Sequence, residues 1–494
     1  MPERPAQECS RRRRLVILVI CCMSLLIVGL DATIVNVALP AIRRELHASV
    51  VGLQWIIDAY TLVLASLLMV SGSTADRIGR RRIFQIGLLI FSVGSLLCGL
   101  AQSLPMLIAF RVVQAVGGSM MNPVAMSIIR NVFEDPRERA QAIGIWGATL
   151  GISFALGPVL GGALVDGVSW RAVFFVNVPI GVAAIALTAL FVPESRADRP
   201  RRLDPLGQLL VITGLGVLTY AIIEGPSTGW SSAEILGLFA LAALAFAALI
   251  RHELRYREPL IELRFFRSAP FSGASAIAVL AFAAQGGFLF LITLYLQDVR
   301  HLSPLNAGLY MLPMAATQMV FAPLSGRLVG RIGGRPSILL SSVAVIAAAV
   351  MLTTLTVGTS SLFLIVAFVV FGVGIGLINP PITNTAISGM PPAQAGVAAA
   401  IASTSRQVGM TLGVAVTGAI AGGTISGALG PSFASATHPA WMVVAGLGAA
   451  MFAIGTLTTT RWARGTADRT ARRFGDRGPG LPLTPQPADP AGSR

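Results

Sequence analysis

Long apolar runs, separated by short polar punctuation, recur along the chain from residue 15 to residue 460. A helix needs about 20 mostly apolar residues to cross a bilayer. Fourteen runs meet that length, near 15–38, 51–71, 83–102, 104–129, 140–164, 172–192, 205–224, 233–250, 271–296, 305–326, 337–357, 361–385, 396–425 and 440–460. The pattern predicts an all-α polytopic membrane protein with 14 transmembrane helices. Arg11, Arg12, Arg13 and Arg14 precede the first run as in a secretory leader. The run is too long for a leader core and no small-residue cleavage site follows, so it reads as an uncleaved first span.

Charge tests the count. The chain has no lysine, and 31 of its 37 basic residues fall in segments that an even-numbered topology puts on one side. The opposite loops hold Arg43, Arg44, Arg171 and Arg300, while Arg111 and Arg406 lie inside spans. By the positive-inside rule both termini are cytoplasmic. With 12% charged residues and mean hydropathy +0.75, the net charge of +15 points to anionic lipid headgroups rather than nucleic acid. Four scattered cysteines and four scattered histidines offer no metal-ligand spacing. No ATP-binding Walker motif can exist without lysine.

The decapeptide starting at Gly72 recurs after the tenth span. Gly72, Arg77, Ile78, Gly79 and Arg81 match Gly326, Arg331, Ile332, Gly333 and Arg335 at one offset. This pairs spans 1–6 with spans 9–14 and leaves spans 7 and 8 inserted, as in transporters whose halves rock about a central site. The expected organisation is a basic cytoplasmic N-terminus (1–14), a six-helix bundle (15–192), an inserted pair with cytoplasmic linkers (193–270), a second six-helix bundle (271–460) and a disordered cytoplasmic tail (461–494).

Ionisable residues within spans are costly and therefore informative. Asp31, Asp58 and Arg111 each fall roughly 10 Å below the outer surface at 1.5 Å per residue. They are expected to line one cavity, where an acid beside a cation can exchange protons and attract cationic ligands. The fifth span carries Gly157, Pro158, Gly161 and Gly162, a pattern for close packing and a hinge.

These residues carry a family resemblance over about 15–460. GSTADRIGRRR (72–82) follows the loop signature of the major facilitator superfamily at every defined position. LDATIVNVALP (30–40), FRVVQAVGG (110–118) and LGPVLGG (156–162) resemble motifs of its fourteen-helix drug:proton antiporters. WRAVFFVNVPIG, GPSTGW, EPLIELRFFRS and SRQVGMTLGVA also look like family segments. The resemblance implies the major facilitator fold in a bacterial cytoplasmic membrane. It also implies a transporter, not an enzyme, that expels amphipathic or cationic drugs and antibiotics on the proton gradient, with no cofactor and no ATP. Export of a single endogenous metabolite is the alternative.

Residue by residue, it implies a conformational switch at Gly72, Asp76, Arg77, Gly79 and Arg80. Proton and substrate handling falls to Asp31 and Arg111, and a bend to Gly157 and Pro158. Three positions depart from the pattern. Ala115 stands where a glycine is usual, and Gly330 stands where the first half has Asp76. No third carboxylate lies within the second-half spans, which argues against divalent-cation export.

Overall fold

The computed structural model describes residues 10–197, 203–256, 258–387, 395–423 and 430–475. In chain order the helices are α1 (Arg11–Leu46), α2 (Val50–Ile78), α3 (Arg80–Gly99), α4 (Leu104–Val132), α5 (Pro136–Gly167), α6 (Ala172–Phe175), α7 (Asn177–Phe191), α8 (Pro205–Thr228) and α9 (Ala233–Glu253). They continue as α10 (Ala269–Leu294), α11 (Pro304–Ile332), α12 (Arg335–Leu352), α13 (Ser361–Ile387), α14 (Ala395–Gly422), α15 (Ser432–Ala436), α16 (His438–Thr458) and α17 (Arg461–Gly475). No strand occurs among the described residues. Thirteen helical segments among them are long and apolar enough to cross a membrane. The remaining predicted span is α14, whose middle holds Ser403, Thr404, Ser405, Arg406 and Gln407. The predicted span at 172–192 is two helices, α6 and α7, meeting at Val176.

The ends of the helices follow local chemistry. Ser49 accepts from the Gly52 amide at 3.1 Å, and Ser303 caps α11 ahead of Pro304, both ordinary N-cap arrangements. Gly79 closes α2 at φ +134°, backbone that side chains with a Cβ rarely adopt. A Cβ there would also lie 2.6 Å from Glu194 Oε1. Gly79→Ala is therefore expected to cost about 1–2 kcal/mol, read as a lowered melting temperature of the purified protein.

Successive membrane-length segments run in opposite directions, so the molecule has two ends. One carries Arg11–Arg14, Asp76, the starts of α5 and α8, and α17; here it is called the basic end. The far end carries the α1–α2, α3–α4, α10–α11 and α12–α13 connections. α1 packs on α4, α5 and α7, and α3 on α4 and α7, with α2 against α4. In the second part α10 packs on α13, α14 and α16, α11 on α13, and α12 on α13 and α16. α5 meets α11 and α2 meets α14, while α8 and α9 pair with each other and α8 lies against α2 and α14.

Apolar packing differs between the two ends. One core joins both sets of helices at the far end, with Ile34, Leu53 and Trp170 beside Phe288, Met311, Val414 and Trp441. Toward the basic end the core divides. Ile17, Phe84, Phe91 and Ile129 belong to one cluster, and Phe271, Ile338, Ile382 and Ile401 to another.

The expectation of disorder past Arg461 is corrected in part. α17 forms because Ala463, Thr466 and Thr470, spaced i, i+3, i+7, are buried while Arg461, Arg464, Arg469 and Arg472 are exposed. The Ala269 amide donates to Thr466 Oγ1 at 2.8 Å. The remainder of that tail, 476–494, lies outside the described residues.

Candidate functional site

α4 approaches α1 and α2 in the far half of the molecule. There Arg111 Nη1 meets Asp31 Oδ2 at 2.5 Å, with Asp31 0% and Arg111 1% exposed. Such a pair is stable only when the remaining lone pairs and protons are also satisfied. Arg111 Nη1 also donates to Gln114 Oε1 at 2.8 Å, and its Nε to the Ile56 carbonyl at 3.1 Å. The guanidinium lies 4.0 Å from the Tyr60 ring centroid, a cation–π distance. Asp31 Oδ1 accepts from Gln114 Nε2 at 2.8 Å and from Asn177 Nδ2 at 3.3 Å. Ser95 Oγ accepts from both amides at 3.1 Å and donates to the Phe174 carbonyl at 2.9 Å. The result is a closed network spanning α1, α2, α3, α4 and α7.

Gln114, Asn177, Ser95 and Tyr60 were not singled out from the sequence. The signal for Gln114 was its position three residues after Arg111, which puts both on one face of α4. For Asn177 it was an amide embedded in an apolar run.

Asp58 stands apart. Ile56 and Tyr60, one turn apart on α2, face Arg111, and at 3.6 residues per turn the residue between them faces the other way. That opposite side carries Gln54, which donates to the Val414 and Ala415 carbonyls at 3.2 and 2.9 Å. It also carries Thr61, which receives a bond from Thr411 Oγ1 at 2.8 Å. Of the three ionisable residues expected to line one cavity, Asp31 and Arg111 are brought together as a buried pair, while Asp58 points to the seam of α2 with α14 and α8. Asp58 is 0% exposed and neither of its carboxylate oxygens has a hydrogen-bond partner. The Thr61 hydroxyl donates to the Ile57 carbonyl.

At the basic end the α2–α3 corner is held locally. Arg80 Nε and Nη2 donate to Asp76 Oδ1 at 3.0 and 2.9 Å. The segment after α7 is stitched to this corner in both directions. The Arg80 amide donates to Ser195 O at 2.9 Å, and the Ala197 amide to Asp76 O at 3.0 Å. Glu194 Oε1 accepts from the Arg81 amide at 3.1 Å. Arg77 is exposed beside this corner, and Gly72 faces Pro123.

The glycines of α5 have two packing partners. Gly157 and Gly161 lie against Thr33 and Ile34 of α1, and Gly162 lies against Pro304 and Leu305 of α11. The Pro158 carbonyl lies against Gly308 of α11, 2.2 Å from where a Cβ would stand. Gly144, Gly147 and Gly151 continue that face toward the basic end, and Gly326 and Gly330 continue the face of α11. A Cβ at any of these five would meet nothing within 4 Å. The bonds joining the two sets of helices also lie in the far half. Arg43 meets Asp298 at 3.4 Å, Gln297 Nε2 donates to Val37 O at 2.9 Å, and the Leu305 amide donates to Asp166 Oδ2 at 2.9 Å. α5 and α11 are thus closed at the far end and spread at the basic end.

Residues 21–414 match the Major Facilitator Superfamily model. The chain is 38% identical over 409 residues to the multidrug resistance protein Stp of Mycobacterium tuberculosis, covering 83% of this chain and 76% of that one. It is 36% identical over 419 residues to a tetracenomycin C resistance and export protein of Streptomyces glaucescens, covering 84% and 78%. Among solved structures, it is similar to a bacterial homologue of the human lysosomal transporter Spinster in an inward-facing, unoccupied conformation. There the TM-score is 0.61 at 20% identity, covering 95% of this chain and 100% of the other. Together with the matching loop motif at Asp76 and the helix pairing, this establishes that the chain belongs to the Major Facilitator Superfamily, among its drug-resistance transporters, and is not an enzyme.

Proposed function

We propose that this protein expels amphipathic drugs or antibiotics across the bacterial cytoplasmic membrane in exchange for protons, by alternating access. The reading takes α1–α7 and α10–α16 as two six-helix bundles with α8–α9 inserted, fourteen spans in all, and both termini cytoplasmic. The basic end is then the cytoplasmic side, and the spread of α5 from α11 is an opening toward it.

The observation that carries the proposal is the buried Asp31–Arg111 pair held by Gln114 and Asn177. In this closed geometry Asp31 is the carboxyl partner of Arg111. When the far end opens, water and protons reach Asp31. Protonation removes one half of the pair and leaves Arg111 held by Gln114 and the Ile56 carbonyl, so the network has two arrangements for α1 and α4. Asp58 adds a second acid, at the seam where the bundles slide. A lone charge at the centre of a span costs roughly 2.5–3.5 kcal/mol, so its ionisation is tied to whether that seam is wet. The energy source is the proton gradient, with neither cofactor nor ATP.

A second reading, export of one endogenous metabolite, draws support from relatives named for single antibiotics, tetracenomycin C and methylenomycin A. Inside-out vesicles loaded with a pH-sensitive dye test both readings. Adding lipophilic cations or neutral drugs is expected to release protons in wild type, to do nothing in Asp31→Asn, and to act severalfold more weakly in Asp58→Asn. A signal that survives Asp31→Asn would remove the coupling role from that residue. No signal with any compound in folded protein would favour the single-metabolite reading.

A further inference from the structure

We infer that Arg406 is a subsite for an oxyanion carried by the exported compound, so that amphipathic aromatic acids are among this transporter's substrates. The inference rests on the export reading and narrows it. Arg406 lies eleven residues into α14, roughly 16 Å from the basic end at 1.5 Å per residue. Its Nη1 donates to Asn379 Oδ1 at 3.2 Å and to Thr383 Oγ1 at 3.3 Å, and its Nη2 to Ser403 Oγ at 3.4 Å. These partners are all neutral and the bonds are all long. Arg111, by contrast, has a carboxylate at 2.5 Å.

No acid of its own half can take that place. The sequence holds neither Asp nor Glu between Asp298 and Asp468. Asp298 is at the far end with Arg43. In the first half, Asp31 is committed to Arg111, and Asp58 faces a different side of α14, the side with Thr411, Val414 and Ala415. Arg406 is half-buried and lies in the part of the molecule where the core divides in two. A guanidinium is a planar fork of donors matched to carboxylate or phosphate oxygens. The Phe282 ring lies 6.0 Å from it, an aromatic surface beside the cation. An aromatic acid satisfies both groups at once. The arginines of the basic end would draw such anions from the cytoplasm.

The test uses the purified full-length protein in detergent and follows its melting temperature. The probes are 2-naphthoate, salicylate, the uncharged methyl 2-naphthoate, and phosphatidylglycerol. Both acids are expected to stabilise wild type and the ester to leave it unchanged. Arg406→Gln is expected to weaken the acids by about tenfold to a hundredfold, the range for a lost charged hydrogen bond, and Arg406→Lys to fall between. In the same Arg406→Gln protein, proton release driven by tetraphenylphosphonium in vesicles should persist, which separates this subsite from folding and from coupling. Acids without effect on wild type, or acids as effective on Arg406→Gln, would overturn the inference. So would stabilisation by phosphatidylglycerol alone, since the site would then belong to a lipid. Absence of the tetraphenylphosphonium signal in wild type would count against the export reading, with the acid binding still decided by melting.

Discussion

Arg111→Met is expected to destabilise the protein by about 3–5 kcal/mol, the cost of stranding one member of a buried ion pair, and to abolish transport. The methionine keeps the aliphatic bulk but removes the charge together with the Tyr60 cation–π contact and the donors to Gln114 and the Ile56 carbonyl. Asp31 would keep the Gln114 and Asn177 donors at one oxygen and lose the cation bonded to the other. Asp31→Asn combined with Arg111→Gln leaves no stranded charge and is expected to recover much of the stability with none of the transport. Thermal melting of Asp31→Asn, Arg111→Gln and their double variant closes the cycle. A single Arg111→Met as stable as wild type would mean that the pair contributes nothing net, and that its role is confined to coupling.

The second large effect concerns the far-end closure. Gly162→Val would drive a Cβ to within 2.5 Å of the Pro304 carbonyl and 2.6 Å of Leu305 Cα. Backbone atoms cannot swing aside as a flexible side chain can, so α5 and α11 must separate there. Overpacking of this kind costs about 1–3 kcal/mol, and each 1.4 kcal/mol shifts a two-state population about tenfold. The variant is expected to favour the arrangement open at the far end and to lose at least about tenfold in transport. A cysteine introduced at Leu305 should then react faster with a membrane-impermeant thiol reagent added from outside. Unchanged labelling would show that α5 and α11 accommodate the side chain without opening.

The sequence made much of this legible because its strongest signals are periodic and electrostatic. Apolar run length located the membrane-length helices from α1 to α14, and α16, while missing the break between α6 and α7 and the polar extensions of α1, α2 and α11. Arginine asymmetry identified one basic end, and the repeat of Gly72–Arg81 at Gly326–Arg335 matched α2 with α11. Depth along the bilayer was also legible, since Asp31 and Arg111 share a level and are bonded. Azimuth was not. Asp58 has the right depth but faces the opposite side of α2, and no count of residues from a helix end reveals that without knowing which face meets α4. The neutral members of the network carry no charge to mark them, so Gln114, Asn177 and Ser95 emerge only when α1, α3, α4 and α7 are packed. α17 was hidden for another reason. Its buried face is made of Ala463, Thr466 and Thr470, small or polar residues that hydropathy does not flag.

The stitch between the α2–α3 corner and the segment 194–197 has a mechanical consequence. Two backbone hydrogen bonds of opposite direction make that segment travel with the corner, and eight residues after Ala197 the chain enters α8 at Pro205. On the proposed two-bundle reading, the α8–α9 pair is therefore moored to α1–α7 like an outrigger. On that reading, displacement of α1–α7 against α10–α16 must be absorbed where α8 and α2 pack on α14. The surfaces there are Leu62, Ala65, Leu215, Thr219, Val408, Thr411 and Leu412, mostly apolar side chains with two hydroxyls. Apart from the bonds of Gln54 to the Val414 and Ala415 carbonyls and of Thr411 to Thr61, such a seam has few directional bonds to break, so it can slip by small steps once those exchange.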